Sequence, residues 1–272
     1  MDLQSEIKKS YKKEIYFGVF VVLLILGLNY SFLDKTFTNF LSGEAILDSN
    51  SKCLVEKVTD GDTIHACNKT IRMLGINTPE KKETYYLEAK EFNNKTLLGK
   101  EVRVVVGADK IDLYGRTLAY VFLENRNINE ELILNGFATP YFPSTKDKYY
   151  DLFFKTFATC LESQSRLCKS STDKCTNCIE LENLDMKAQE VTFRNICDFS
   201  CDLTGWTVKD EGRKNFVFPE FSLASQKSVT IYASKEKDKF HFSQATVWTA
   251  TGDTVYLRDE NYNLVLVNRI LE

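Results

Sequence analysis

Three short segments of the chain carry residue types that together could cut a phosphodiester bond. They are residues 60–63 (DGDT), residues 72–80 (RMLGINTPE) and residues 112–116 (DLYGR). The reaction needs oxygen ligands for a hard cation, a carboxylate that orients or deprotonates water, and fixed cations that neutralise charge on the phosphorus centre. Other catalytic sets are scarce, because the chain has only two histidines, His65 and His241, far apart in sequence.

The composition allows this chemistry but limits how substrate is attracted. The chain has 272 residues, of which 43% are hydrophobic and 27% charged, which suits one or two globular domains. Its net charge is −3 and its sequence pI is about 5.7. Long-range attraction of a polyanion is therefore weak, and binding of nucleic acid would depend on a few local cations.

An uncharged run near the N-terminus, residues 15–33, has the length of a transmembrane helix. At 1.5 Å per residue it reaches about 28 Å, close to the ~30 Å hydrocarbon core. Lysines precede it, so the positive-inside rule predicts a cytoplasmic basic segment (1–14), a signal anchor (15–33), an outer spacer (34–51) and an extracytoplasmic remainder. A cleaved signal peptide, which would make the protein secreted, and a buried core helix are the alternatives.

The cysteines follow this run, and their even number indicates disulfides in an oxidising compartment. All eight are candidates: Cys53, Cys67, Cys160, Cys168, Cys175, Cys178, Cys197 and Cys201. Cys53 and Cys67 would face each other across a hairpin centred on Asp60, and Cys160 and Cys168 could pair locally. The last four form C-x2-C and C-x3-C patterns, for which two disulfides and a Zn²⁺ site are both open.

The spacing of apolar and turn residues predicts two domains. Residues 52–168 show about five strands and three helices, the content of a partly open five-stranded barrel. The strands are predicted at 53–58, 63–67, 70–74, 102–106 and 116–123, and the helices at 83–98, 127–134 and 145–167. Asn127 or Asn129 is expected to cap the second helix and Gly136 to end it.

A polar linker, 169–174, separates this domain from residues 175–272. The second domain has short strands at regular spacing, which is typical of a β-sandwich. These strands are predicted at 178–183, 189–195, 204–209, 214–218, 227–232, 246–248, 253–258 and 263–269.

Residues 60–80 (DGDTIHACNKTIRMLGINTPE) and 112–122 (DLYGRTLAYVF) resemble the two signature segments of the thermonuclease, or staphylococcal nuclease-like, family. The resemblance runs from about Cys53 to Cys168. It implies an OB-fold barrel and a calcium-dependent nuclease that acts on DNA and RNA and leaves 3′-phosphates. Both segments, in this order and at this spacing, are specific to the family.

The resemblance also implies a role for individual residues. Asp62, Asn77 and the Thr78 carbonyl match the calcium ligands. Asn77 stands where the family often has an aspartate, so calcium should bind less tightly and Mg²⁺ or Mn²⁺ could compete, because affinity for hard cations depends on ligand charge. Glu80 matches the carboxylate that acts on water.

Arginines and tyrosines complete the set that the resemblance implies. Arg72 and Arg116 match the two arginines that hold the scissile phosphate, and an arginine fork fits two phosphate oxygens better than lysine does. Tyr114 and Tyr141 correspond to residues that contact nucleotide. Leu113 occupies a position that is usually basic, so one phosphate contact is missing.

Residues 201–223, 228–234 and 247–265 resemble a lamin-tail domain, which implies an immunoglobulin-like β-sandwich with Trp206 in its core. Its partner is left open. The sequence thus predicts a membrane-anchored extracytoplasmic nuclease with DNA or RNA as substrate. A non-catalytic module that binds nucleic acid or another ligand, with a weakened metal site, is the alternative, and a structural surface protein is a third hypothesis.

Overall fold

A computed structural model describes Leu47 and residues 50–143, 146–233, 240–249 and 252–270, all within one compact unit, Leu47–Glu272. The predicted cytoplasmic segment, the signal anchor and most of the spacer lie outside the described residues. No helix within the described part of the chain combines the length and the apolar character needed to cross a membrane.

The first domain is a barrel with three helices. Its elements in chain order are β1 (Ser51–Val58), β2 (Thr63–Ala66), β3 (Lys69–Met73), β4 (Ile76–Asn77), α1 (Tyr86–Leu97), β5 (Glu101–Ile111), β6 (Thr117–Leu123), β7 (Arg126–Asn127), α2 (Ile128–Leu134), β8 (Thr139–Pro140), α3 (Tyr150–Ser163) and a 3-10 helix (Arg166–Cys168).

The strand order around the barrel is β3-β2-β1-β5-β6, and a parallel pairing of β3 with β6 closes it. Alternate residues such as Val102 and Val104 on β5 point inward, because side chains of a strand alternate between its two faces. The five-stranded OB-like barrel predicted from the sequence is therefore confirmed, and it is closed rather than partly open.

The structure corrects the end of the third predicted helix and decides between the two predicted N-caps of the second. The third helix ends at Ser163, because Gln164 adopts a left-handed backbone conformation (φ 54°), and a separate 3-10 turn follows. Asn129 does not cap α2: its Oδ1 accepts from the Val121 amide at 2.9 Å and its Nδ2 donates to the Leu74 carbonyl at 2.8 Å, which ties the helix to the barrel. Asn127 occupies the N-cap position, without a side-chain capping bond.

The second domain consists of β-strands that surround one core. They are β9 (Ile179–Asp185), β10 (Glu190–Asn195), β11 (Cys201–Asp202), β12 (Thr207–Lys209), β13 (Asn215–Val217), β14 (Ser222–Leu223), β15 (Ser228–Tyr232), β16 (Asp253–Arg258) and β17 (Leu264–Ile270). A sheet ordered β15-β10-β9 and another ordered β13-β12-β16-β17 share that core, in which Trp206 is buried as predicted. The all-β prediction for this domain is confirmed.

The predicted strand 246–248 is wrong. Val247 and Trp248 have irregular backbone, and both of their amides donate to Oε1 of Gln189, at 2.7 and 3.0 Å. Gln189 Nε2 donates in turn to the Trp248 carbonyl at 2.7 Å. A side chain therefore provides the hydrogen bonds that a neighbouring strand would otherwise supply.

All eight cysteines form disulfides, as predicted. The pairs are Cys53–Cys67, Cys160–Cys168, Cys175–Cys201 and Cys178–Cys197. The first two are the pairs expected from the hairpin and from local spacing. Since the last four cysteines are bonded to each other, they offer no thiolate for zinc, and the zinc alternative has no support.

The predicted linker is fixed on both sides. The Leu264 amide donates to the Lys169 carbonyl at 2.7 Å, and the Ser171 amide donates to the Leu264 carbonyl at 2.8 Å. Tyr256 and Leu264 are buried against the barrel core. The lamin-tail-like domain therefore makes backbone hydrogen bonds with the linker and apolar contacts with the barrel core.

Candidate active site

The turn between β1 and β2 holds Asp62 against the rest of the barrel. A Cβ atom on Gly61 would lie 2.8 Å from the Thr78 hydroxyl and 2.9 Å from the Ala89 Cβ, so only glycine allows the turn to approach this closely. Asn93 on α1 donates to the Gly61 carbonyl at 2.7 Å, which fixes the turn from the other side. These contacts fix the geometry of the turn, and Asp62 is buried.

The Asp62 carboxylate joins two of the predicted segments. Its Oδ2 accepts from the Thr78 amide at 3.2 Å and from the Thr78 hydroxyl at 3.0 Å, and it lies 3.1 Å from an Nη1 of Arg72. Its Oδ1 accepts from the Thr63 hydroxyl at 3.1 Å. Thr63 lies opposite Arg72 in the pairing of β2 with β3, which explains why the arginine reaches this carboxylate.

The segment from Asn77 to Glu80 presents one buried and one open side chain. Asn77, at the end of β4, is held by the pairing of β4 with β8. Its Oδ1 is buried and accepts no hydrogen bond from any residue that the structure describes. The Glu80 side chain, two residues after Thr78, is 41% exposed and is not part of the cavity wall described below. The turn therefore offers an amide oxygen inside the site and a carboxylate that water can reach.

Arg116 is positioned by a residue to which sequence reasoning gave no role, Asp112. Asp112 Oδ2 accepts from Arg116 Nε at 2.7 Å and from Nη2 at 2.6 Å. Its Oδ1 accepts from the backbone amides of Tyr114 and Arg116, both at 2.9 Å. The aspartate in the DLYGR segment was the available signal, since aspartate commonly closes such turns through its own side chain.

A cavity of about 510 Å³ brings the remaining predicted residues together. Arg72, Arg116, Tyr114 and Tyr141 all contribute to its wall. Burial raises the pKa of Tyr141, and Asp210 acts in the same direction, whereas the charges of Arg72 and Arg213 oppose the rise. The cavity wall thus carries two arginines and three aromatic rings, those of Tyr114, Tyr141 and Phe142. Such groups hold phosphates and stack on bases.

The second domain contributes a loop to this site. The end of β12 and the turn after it, residues 209–214, form what we call the docking loop. Asn77 Nδ2 donates to the Gly212 carbonyl at 2.5 Å and to the Glu211 carbonyl at 3.3 Å. Arg213 Nε lies 2.6 Å from Oε1 of Glu80. No signal in the sequence connects this loop to residues 77–80.

A buried ion pair anchors the docking loop. Lys209 Nζ contacts both carboxylate oxygens of Glu83, at 2.8 and 2.7 Å, and both side chains are largely buried. Gly212 also allows the loop to pack closely against Tyr141. A Cβ at this position would lie 3.1 Å from Asp210 Oδ2 and 3.5 Å from the Tyr141 ring. The loop therefore lies directly against the nuclease-like site.

Acidic groups of the docking loop are buried. Burial raises the pKa of Asp210 to about 7 and that of Glu211 to about 8, and the nearby Asp253 carboxylate acts in the same direction on both. Burial likewise raises the pKa of Asp253. At neutral pH the loop consequently carries less negative charge than its sequence suggests.

The oxygen donors at the site are of the types that hard cations prefer as ligands. Asp62 supplies a carboxylate, Thr78 a backbone carbonyl, and Asn77 an Oδ1 that is buried without a hydrogen-bond partner among the described residues. Within the same residues no group of three or more histidine, cysteine, aspartate or glutamate side chains is placed to hold a metal ion. The candidate site therefore relies on neutral oxygens and on one carboxylate that Arg72 also contacts.

Comparisons with known proteins agree with both domains. A family model described as "Staphylococcal nuclease homologue" matches residues 70–164, and one described as "Lamin Tail Domain" matches residues 171–270. A thermonuclease from Staphylococcus hyicus is 33% identical over 143 residues, covering 49% of this chain and 84% of that protein. A thermonuclease from Staphylococcus intermedius is 38% identical over 106 residues, covering 35% of this chain and 63% of that protein.

A third relative, endonuclease YhcR from Bacillus subtilis, is 34% identical over 131 residues, covering 41% of this chain but only 11% of the endonuclease. The first thermonuclease is 33% identical and is matched over 84% of its length. The chain therefore belongs to the thermonuclease, or staphylococcal nuclease-like, family, and a lamin-tail domain follows its nuclease domain.

Proposed function

We propose that this protein is a metal-dependent nuclease that hydrolyses phosphodiester bonds of DNA and also of RNA. The observation that carries the proposal is the network of Asp62, Arg72 and Thr78 beside a cavity on whose wall Arg72 and Arg116 both lie. The relatives named thermonuclease and endonuclease support the same reaction class.

Glu80 is the group that acts on the attacking water. Its carboxylate is half-exposed beside the buried donors, so a water molecule can reach it. In the proposed step the water oxygen bonds to phosphorus, the water proton passes to Glu80, and the bond from phosphorus to the 5′ oxygen breaks. The 5′ oxygen takes a proton from solvent, and the products carry 3′-phosphates.

The two arginines neutralise charge on the phosphorus centre. Arg116 is held in a fixed orientation by Asp112, and Arg72 by the Met73 carbonyl at 2.7 Å and by Asp62. Cations that are already held in place stabilise the charge that develops in the transition state more strongly than mobile cations do. Loss of one such contact typically lowers the rate about 100- to 1,000-fold.

Calcium is the proposed cofactor, with Mg²⁺ or Mn²⁺ as possible substitutes. Asp62 Oδ, Asn77 Oδ1 and the Thr78 carbonyl would hold it, and when bound it supplies positive charge to a phosphate oxygen. Asn77 contributes a dipole rather than a charge, so we propose that calcium binds less tightly here than at a site with a second aspartate.

Cleavage of labelled single-stranded DNA by the purified, oxidised full-length chain in detergent tests the proposal. Calcium should support cleavage and EDTA should abolish it. Glu80→Gln should lower the rate about 100- to 10,000-fold, as expected for loss of a general base. Glu182→Gln is the matched control, because Glu182 is also half-exposed and paired with an arginine, Arg194. Equal cleavage by the two variants, or cleavage unaffected by EDTA, would refute the proposal.

The alternative is a binding module that holds nucleic acid without cutting it. It is favoured by the neutral residue at Asn77 and by the contacts of Asp62 and Glu80 with arginines. In the same assay this alternative predicts that the unsubstituted chain binds DNA and leaves it intact with calcium.

We also propose that the protein is anchored in the membrane by residues 15–33 and faces outward. The uncharged run, the lysines before it and the disulfides after it support this location. Protease added to intact cells should remove the nuclease domain, and N-terminal sequencing of the membrane fraction should find residues 1–14. Recovery of the chain only from the medium would support the secreted alternative.

A further inference from the structure

The docking loop places a third arginine at the nuclease site. Arg213 Nε lies 2.6 Å from Glu80 Oε1, and the Arg213 side chain is 50% exposed. Arg213 and Arg72 both act electrostatically on Tyr141, whose ring forms part of the cavity wall. A cation from the second domain therefore contacts Glu80, to which the proposed reaction assigns a role, and lies near Tyr141.

The loop is held much more firmly than the arginine that it carries. Buried contacts fix the loop through Lys209 with Glu83 and through Asn77 with the Gly212 carbonyl. The Arg213–Glu80 pair is open to water, and an exposed ion pair changes an equilibrium constant by no more than about fivefold. The guanidinium can therefore exchange its partner without movement of the loop.

A phosphodiester is the partner that this guanidinium fits best. Arginine binds phosphate oxygens through parallel N–H donors, and these charge-assisted bonds are stronger than neutral ones. The Arg213–Glu80 pair is also too weak to act as an inhibitory clamp. An exposed ion pair shifts an equilibrium constant by only about fivefold, which cannot hold the enzyme in an inactive state.

We propose that Arg213 of the lamin-tail domain binds a backbone phosphate of single-stranded nucleic acid next to the nuclease site, and that it leaves Glu80 when substrate binds. This inference rests on the proposed function for the identity of the substrate. It gives the lamin-tail domain a role in the nuclease reaction, as a source of one phosphate contact.

Binding of a fluorescein-labelled oligothymidylate to the full-length chain in EDTA tests the inference without cleavage. Fluorescence anisotropy is measured between about 50 and 200 mM salt. Arg213→Ala should raise Kd about tenfold at low salt and reduce the slope of log K against log salt by about 0.7, the value for one phosphate contact on a single strand. Arg213→Lys should keep most of the slope, because it keeps the charge.

Arg194→Ala is the matched control, since Arg194 is a 42% exposed lamin-tail arginine paired with Glu182. It should leave both Kd and slope unchanged. Urea unfolding of each variant checks that the domain remains folded. If Arg213→Ala unfolds, Arg213→Gln, which also removes the charge, takes its place with the same expected change in slope.

An unchanged Kd and slope in Arg213→Ala would overturn the inference, as would tighter binding, which would indicate a clamp. Absence of binding by the unsubstituted chain would overturn it too. Binding that depends on Arg213, together with no cleavage when calcium is added, would support the inference while refuting the proposed function.

Discussion

The side-chain amide of Asn77 donates a 2.5 Å hydrogen bond to the carbonyl of Gly212, which joins the nuclease site to the lamin-tail domain. The neighbouring Glu211 carbonyl accepts from the same nitrogen at 3.3 Å. Since carbonyl oxygens only accept hydrogen bonds, the NH₂ group must face them and Oδ1 must face away. An asparagine at this position thus serves both the interface and the oxygen set of the proposed metal site.

Asn77→Asp should destabilise the protein in EDTA. A carboxylate at this position cannot donate a hydrogen bond to the carbonyls of Glu211 and Gly212, and its negative charge would repel them. Together these effects should lower the free energy of unfolding by about 3 kcal/mol. Asn77→Ala loses the hydrogen bonds without adding charge and should cost about 1 to 2 kcal/mol. Urea unfolding in EDTA gives the order of stability.

Addition of calcium should reduce the difference in the free energy of unfolding between Asn77→Asp and the unsubstituted chain. The reason is that the new carboxylate is a stronger calcium ligand than the amide oxygen. If Asn77→Asp were as stable as the unsubstituted chain in EDTA, the amide would not be a docking contact. If calcium stabilised all three proteins equally, Asn77 would not be a ligand.

The buried acids of the docking loop should make the protein less stable as pH rises. The pKa of Asp210 is raised to about 7 and that of Glu211 to about 8, so the folded chain retains protons that the unfolded chain loses. Their stabilising contribution is complete below about pH 4 and is lost as pH rises through about 7 and 8. Asp210→Asn with Glu211→Gln should flatten this fall, as measured by urea unfolding across that range.

Asp202→Asn is the control for the pH series. Hydrogen bonds from Thr204 lower the pKa of Asp202, so this carboxylate is ionised in both the folded and unfolded chain over the range of interest. Its removal should leave the slope of stability against pH unchanged. A slope that is equally steep in the double variant would mean that Asp210 and Glu211 do not retain their protons.

Lys209→Met should be strongly destabilising. It leaves the buried Glu83 carboxylate without its cation, and breaking a buried pair in this way costs about 3 kcal/mol or more. Lys209→Met combined with Glu83→Gln should recover part of the loss, because the amide oxygen can still accept from the Glu80 backbone amide.

Lys52→Met is the comparison, since Lys52 and Glu101 form a pair whose side chains are 75% and 63% exposed. Its effect on the free energy of unfolding should stay within about 0.5 kcal/mol. Similar losses for Lys52→Met and Lys209→Met would argue that the docking loop is not anchored by burial.

Gln189→Ala should cost about 3 kcal/mol, because it leaves the Val247 and Trp248 amides without acceptors in the interior of the domain. Gln226→Ala controls for backbone conformation: Gln226 has φ 57° and Gln189 has φ 58°, but Gln226 is exposed. Thermal unfolding of both variants compares them. Equal midpoints would show that the glutamine bonds do not support this segment.

Local signals in the sequence predicted most of the barrel. The Asp60-Gly61 turn correctly predicted the β1–β2 hairpin, and the hairpin brings Cys53 to Cys67. Arg72 reaches Asp62 because strand register is set locally, by the residues that flank the turn. These features depend on contacts between residues that are close in the chain.

Features that depend on distant residues could not be predicted. Arg213 and Glu80 belong to different domains, and no pattern of charge or spacing around either one identifies the other. The strand predicted at 246–248 failed for a related reason, since Gln189, far away in sequence, supplies hydrogen bonds to that segment. The roles of the individual site residues stay predictions until variants are assayed.

The contact between Asn77 and the docking loop has a consequence for evolution. A mutation to aspartate at position 77 would add charge to the proposed metal site and at the same time repel the Gly212 carbonyl. Selection on the metal site and selection on the domain interface therefore act on the same side chain in opposite directions. An aspartate at position 77 would fit the interface only if the loop also changed, so substitutions at the two places are coupled.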